Sequence, residues 1–383
     1  MRNVYNFNLR AWLLSLLCLI IGGRAAAGNP QLPISTDDYI TVGELTLVPG
    51  SSDEYQVVVS LQGSRIYTAY QMDILFPPGV DVVMAKGKPA LNIWKKAGCI
   101  YPTDDMDEYT HGAIASYGVI ADKVLRVACK SDYLDELTAE SGPLLFFKVK
   151  VSPYLKPGDV TLKVTNLAFI TKANSQKYSC KDQTLTLQAA AQSTVNVSIS
   201  GDSHYSTCVL PFAVDKLPDG VKAYSARRMN DTGSYVLLDE VQSLAAYTPY
   251  ILYADRSYSG TLSGPVDASL YSEVVTDGYL HGAIVAQQRS QGYVLQDQGD
   301  GAKFYAMNGT TFNIPEGKCW LQPDQPQSAP ALGIQVGGTA TAITAPTVTP
   351  TATPIYTLDG VRVSDMQPGR IYIVGGHKVL KLK

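Results

Sequence analysis

Charge is scarce in this 383-residue chain. Only 17% of its residues are Asp, Glu, Lys or Arg, against roughly 25% in an average soluble protein, and the two signs nearly cancel to a formal net charge of −3. That balance excludes a disordered acidic tail and nucleic-acid binding by bulk charge. Histidine is also sparse: His111, His204, His281 and His377 form no i, i+4 pair and no His-Glu-x-x-His, so a zinc hydrolase has no support. Cys-x-x-Cys is absent, which removes zinc ribbons and thioredoxin-type chemistry. No Gly-x-Ser-x-Gly elbow occurs; Gly201-Asp202-Ser203-His204 reads as a turn between units. Long apolar runs are missing as well. The longest, Ala11 to Ile21, falls short of the roughly 20 residues that cross a bilayer as a helix.

That run has a different meaning. Arg2 and Arg10 precede it and Ala25-Ala26-Ala27 follows, the three parts of a secretory signal over residues 1–27. Its removal takes away three arginines and no acid, leaving a mature charge of −6. The mature cysteines would then be Cys99, Cys129, Cys180, Cys208 and Cys319, an odd number in a disulfide-permissive compartment. Pairing within units would join Cys99 to Cys129 and Cys208 to Cys319; five small buried hydrophobes are an equal alternative.

What the chain has in quantity is turn residues and tyrosine: 32 Gly, 22 Pro and 24 Tyr, against 8 Phe and 3 Trp. The mix suits a turn-rich β protein. Over residues 35–192, Tyr55, Val57, Val59 and Leu61 alternate with polar neighbours, and Leu145, Phe147, Val149 and Val151 repeat the pattern. Pro77-Pro78-Gly79, Ser141-Gly142-Pro143 and Lys156-Pro157-Gly158-Asp159 punctuate these strands. A short helix is expected over Ala90 to Ala97, between Pro89 and Gly98, and a turn around Tyr133 to Leu137. Residues 193–338 read as a second strand-rich unit with sandwich or jelly-roll character. Residues 339–354, rich in Thr, Ala and Pro without charge, read as a linker. Residues 355–383 read as a small hairpin module of about +3 charge. The fold class expected is therefore all-β, with two consecutive β-sandwich domains and a C-terminal β-hairpin module.

Three segments resemble known families. The strand Glu54 to Leu61, the run Tyr70-Gln71-Met72-Asp73-Ile74-Leu75-Phe76-Pro77-Pro78-Gly79-Val80 and the later Gly142-Pro143-Leu144-Leu145-Phe146-Phe147-Lys148-Val149 make the first unit resemble the cohesin-like sandwich of the carbohydrate-binding-domain superfamily. The second unit, through Leu210-Pro211-Phe212-Ala213-Val214 and Ile314-Pro315-Glu316-Gly317-Lys318, looks like a β-rich module of exported Bacteroidota proteins. The tail, Ile355-Tyr356-Thr357-Leu358-Asp359-Gly360-Val361-Arg362-Val363 followed by Pro368-Gly369-Arg370-Ile371-Tyr372-Ile373-Val374, is similar to the sorting domains of type IX secretion, with Arg370 inserted where the family has Gly-Ile-Tyr. These resemblances imply export to the cell surface or beyond, with the outer-membrane export machinery as one partner.

Tyrosine is the positive functional signal. Tyr67, Tyr70, Trp94, Tyr101 and Tyr109 fall near strand ends and loops of the first unit, and Tyr247, Tyr250, Tyr253 and Tyr258 cluster in the second. Rings of this type, where exposed, stack on sugars or anchor protein interfaces; as strand residues they equally serve as core. The acidic run Asp104, Asp105, Asp107 and Glu108 misses calcium-loop spacing and reads as a solvated loop. The functional expectation is a non-catalytic exported surface protein, needing no cofactor or metal, that binds a polysaccharide or an extracellular protein. A structural adhesin subunit and, further off, a glycan hydrolase are the alternatives.

Overall fold

The computed structural model describes residues 34–118, 123–324 and 328–337, together with 355–357, 362–363, 367–368, 371–374 and 377–380 of the tail. The expected leader over 1–27 and the linker over 339–354 lie outside the described residues. Among those described, every regular element is a strand except two 3₁₀ turns, Ala173–Ser175 and Ala268–Leu270. The chain is all-β.

Two sheets form the first part. The smaller one orders Tyr39–Val42, Tyr55–Gln62 and Gly142–Val151, and both Val80–Val82 and Leu91–Ile93 pair with the last of these. Its register places Val59 opposite Leu145 and Val57 opposite Phe147, so the alternation in sequence becomes one continuous apolar face. The larger sheet is built around Ala69–Leu75, flanked by Val124–Ser131 on one side and Gly158–Ile170 on the other, with His111–Gly118 at one edge. Ile74 lies opposite both Leu125 and Val164 there, and Met72 lies opposite Val127. Packed together, the inner faces bury Val57, Val59, Leu61, Met72, Ile74, Leu125, Phe147 and Val164 in one cluster. This is a β-sandwich core.

The helix expected over 90–97 does not form. Leu91–Ile93 is a strand instead, with Ile93 opposite Leu145 and buried against the sandwich core. Pro and Gly flank a strand as readily as a helix, and the free pairing edge of Gly142–Val151 decides between them. The Tyr133 to Leu137 turn does form, closed by the Ser131 hydroxyl, which accepts from the amides of Tyr133 and Asp135 at 3.1 Å each.

The second part is dominated by one ten-stranded sheet running from Tyr205–Val209 through Pro249–Ala254 and Val221–Met229 to Leu280–Ala283 and Val274–Asp277. It curls on itself: the Val209 amide donates to Gly317 O, and Cys319 Sγ comes within 3.3 Å of Cys208 O, though these residues lie far apart in strand order. A second hydrophobic cluster fills the curl, including Phe212, Tyr224, Leu252, Phe304 and Leu321. Beside it the ribbon Gln192–Ile199 pairs antiparallel with Tyr258–Pro265. In the tail, Arg362–Val363, Ile355–Thr357, Ile371–Val374 and His377–Leu380 form a four-stranded sheet in that order. No helix of the described residues is long and apolar enough to cross a membrane.

Candidate functional site

The five aromatic residues singled out in the first unit lie at two depths. Tyr67, Tyr70 and Tyr101 are buried. They are core, not an exposed stacking platform, which corrects the expectation of open rings at these positions. The reason is local: Tyr70 is an inward position of Ala69–Leu75, and the loops bearing Tyr67 and Tyr101 fold over the sandwich mouth, where apolar rings are worth most when removed from water.

Each buried phenol has a partner. Tyr70 and Tyr101 share a hydrogen bond of 2.9 Å, and the Tyr101 hydroxyl also donates to Leu144 O at 2.6 Å. Tyr67 stacks on Phe169 with ring centres 4.7 Å apart and donates to the carboxylate of Asp38. Burial pushes all three phenols well above their ordinary range, and the charge of Asp38 adds to this at Tyr67. Asp38 is itself buried. Desolvation pushes its pKa up, but the hydrogen bonds from Tyr67, Ser64 and Thr36 together outweigh it and hold the carboxyl below the usual range. His111 lies against Tyr101, ring centres 5.2 Å apart, with Nε2 3.1 Å from Thr68 O; burial lowers its pKa.

Above this layer opens a polar cleft of 640 Å³, lined by Asp37, Asp38, Tyr39, Gln62, Ser64, Arg65 and Ser141. Alternation explains who faces it: Thr36, Asp38 and Ile40 turn inward, while Asp37 and Tyr39 turn out. Tyr39 is 51% exposed at the lip. The Arg65 guanidinium lies 4.7 Å over the Tyr178 ring, and the Ser64 amide is held on Asp38 Oδ1 at 2.9 Å. The loop that shapes the cleft is thus fixed from below by a buried carboxylate.

Trp94 and Tyr109 are half-buried. Trp94 meets Phe146 edge-on at 6.4 Å and carries Lys96 at 5.5 Å over its face; Tyr109 carries Lys95 at 5.1 Å and donates to Lys95 O at 3.3 Å. Both rings are therefore partly covered by lysine stems. Asp104 organises its own loop, its Oδ1 accepting from the amides of Met106 and Glu108 at 2.9 Å each. Among the described residues no group of His, Cys, Asp and Glu is arranged to hold a metal ion. Beyond the cleft, the loop tips expose Met106 (77%), Tyr133 (76%) and Leu134 (56%).

Of the two readings the sequence left open for the cysteines, the pairing of Cys99 with Cys129 and of Cys208 with Cys319 is not formed: Cys99, Cys129, Cys180, Cys208 and Cys319 are free. In the second part, Tyr247 and Tyr250 are buried in the core and Tyr253 and Tyr258 pack against it, so this group makes no open aromatic face either.

The residues that line the cleft escaped sequence reasoning. Asp37 and Asp38 precede a strand that Tyr39 opens, and Ser64 and Arg65 lie in a bend, positions where polar residues are ordinary. Asp38 and Ser64 are 26 positions apart, and only the chain between them folding back brings them together.

No family model matches the chain, and no curated protein matches it. Solved structures similar to it are cohesins. A non-cellulosomal cohesin from the archaeon Archaeoglobus fulgidus is 13% identical, covering 40% of this chain and 92% of that one at a TM-score of 0.27. A cohesin of Clostridium acetobutylicum is 14% identical, with 40% and 93% covered and a TM-score of 0.29. A type I cohesin from a cohesin–dockerin complex of Clostridium thermocellum is 19% identical, with 40% and 100% covered and a TM-score of 0.29. Scores this low carry neither ligand nor partner across to this chain.

Proposed function

We propose that this is a non-catalytic, exported binding protein whose first sandwich recognises a glycan in the cleft between Asp37 and Arg65. Residues 1–27 would direct export, 35–192 and 193–338 would be the two folded units, 339–354 a linker, and 355–383 an address read by outer-membrane export machinery, leaving the protein at the surface or released. The observation that carries the binding role is the cleft itself: 640 Å³, open, lined by planar polar side chains and edged by the exposed Tyr39 ring. Sugar rings ask for that combination, an apolar face to stack on and convergent donors and acceptors to orient the hydroxyls. The buried Asp38–Tyr67 pair beneath it keeps the polar groups in place before a ligand arrives, which lowers the ordering cost of binding.

A second reading, an extracellular protein partner, is favoured by the exposed Met106, Tyr133 and Leu134 in loops of the first part. A glycan array and polysaccharide pull-down of the mature chain separates the two. Saturable binding lost in Tyr39→Ala and Arg65→Ala but kept in Tyr133→Ala supports the cleft. Absence of glycan binding overturns it and moves the role to the loop tips, while self-association in light scattering would mark a structural adhesin.

A further inference from the structure

A second cavity, of 420 Å³, lies where the two parts of the chain meet. The first part contributes Ser51 and Ser52, and the second contributes Thr194, Ser206, Glu316 and Lys318. Its walls are locked. The Ser193 hydroxyl donates to Pro153 O at 2.6 Å, and the Tyr154 hydroxyl donates to Val209 O at 2.9 Å. Ligand pockets favour such junctions, and this volume is within their usual range of about 300 to 1,000 Å³.

Lys318 is the feature that calls for a ligand. It is half-buried, and its ammonium donates only to uncharged oxygens, Ser206 Oγ at 3.0 Å and Thr207 O at 3.4 Å. It takes part in none of the ion pairs among the described residues. Partly desolvating a cation without an anion is unfavourable, and an arriving carboxylate would relieve it with a charge-assisted hydrogen bond. Seven of the sixteen other residues lining it bear a hydroxyl, Ser51, Ser52 and Thr194 among them, and Glu316, the other charged residue of the cleft, is an acceptor for hydroxyl donors.

The geometry points to a site for a sugar acid, a hydroxylated monocarboxylate of one or two rings, with its carboxylate on Lys318 and its hydroxyls among Ser51, Ser52, Thr194 and Glu316. One ammonium matches one carboxylate, and the serine and threonine walls match a polyol rather than an apolar acid. The site is separate from the Asp37–Arg65 cleft and takes a differently charged ligand.

Calorimetric titration of the mature chain with glucuronate and galacturonate, as monosaccharides and disaccharides, beside the matched neutral sugars and acetate, tests this. Saturable binding of a uronate, at least about ten-fold weaker in Lys318→Gln and unchanged in Arg65→Ala, is the expected result. Ser52→Trp, on an exposed lining position supplied by the first part, should block the same binding without altering Lys318, and it decides the matter if Lys318→Gln fails to fold. No uronate binding, equal binding of neutral sugars or acetate, or uronate binding indifferent to both variants would overturn the assignment. Because Arg65→Ala reports on the other cleft, failure at one site is distinguishable from failure at the other.

Discussion

The Tyr154 hydroxyl donates to the carbonyl oxygen of Val209 at 2.9 Å, and through that bond a residue that follows the sandwich strand Gly142–Val151 is buried in the core of the second, curled sheet. Tyr154 acts as a peg. Burial holds its phenol protonated and donating, and the backbone of Gly317 closes over it.

Removing the peg should uncouple the two cores. Tyr154→Phe, which loses one buried hydrogen bond, is expected to cost about 1 kcal/mol, and Tyr154→Ala about 3–5 kcal/mol. Calorimetry should show one cooperative transition in the parent and two resolved transitions in Tyr154→Ala. Unchanged melting of both variants would show that the peg holds nothing.

Gly317 should tolerate no side chain. Its φ of +77° favours glycine, and an added Cβ would run into the Tyr154 hydroxyl. Gly317→Ala should destabilise by more than about 1 kcal/mol in urea unfolding. Combined with Tyr154→Ala the loss should be less than additive, because the collision disappears with the ring. Strict additivity would place the cost in the backbone alone.

Acid should unfold the protein in two stages. His111 and His281 both have pKa values lowered by burial, so the unfolded chain binds protons at these sites first; their contribution is complete above pH 6.5 and is lost as pH falls through the lower folded values. Asp38 has a folded pKa below 3.8, so its contribution holds above that pH and is lost only as pH falls through the folded value. Urea midpoints measured from pH 8 to pH 3 should fall first below about 6.5. His111→Gln should flatten the upper limb and Asp38→Asn the lower. Equal pH profiles for parent and variants would contradict this assignment.

The thiols should be inert until the protein opens. Burial pushes Cys129 and Cys208 up to about 12 and Cys319 well above its ordinary value, so little thiolate exists near neutral pH. Alkylation followed by peptide mass mapping should leave these three unmodified in the native protein and label Cys99, Cys129, Cys180, Cys208 and Cys319 in denaturant without reductant. Labelling that needs reductant would show a disulfide in place of free thiols.

Much of the sandwich was legible in one dimension. Where one face of a strand is buried and the other wet, as in Tyr55–Gln62 and Gly142–Val151, a period of two is written directly into residue type. The short strand Leu91–Ile93 was not legible, since three residues carry too little periodicity and its state depends on an edge supplied by residues 145–147. Tyrosine misled for a related reason. A ring on a strand end has the same letter whether it faces water or the core, and Tyr67, Tyr70 and Tyr101 proved to be buried rather than open to water.

Sequence alone determined the class of the protein: all-β, poor in charge, punctuated by Gly and Pro, with an apolar run over Ala11 to Ile21 and a basic tail. These are properties of composition and local period, and each acts over a few residues. Tertiary structure decided the rest. The Asp38–Tyr67 pair, the cleft above it, the Tyr154 peg and the Lys318 ammonium on its uncharged oxygens all arise where segments distant in the chain meet. Whether a polar group there is paired, buried or free is a property of its neighbours in space, on which the local sequence is silent.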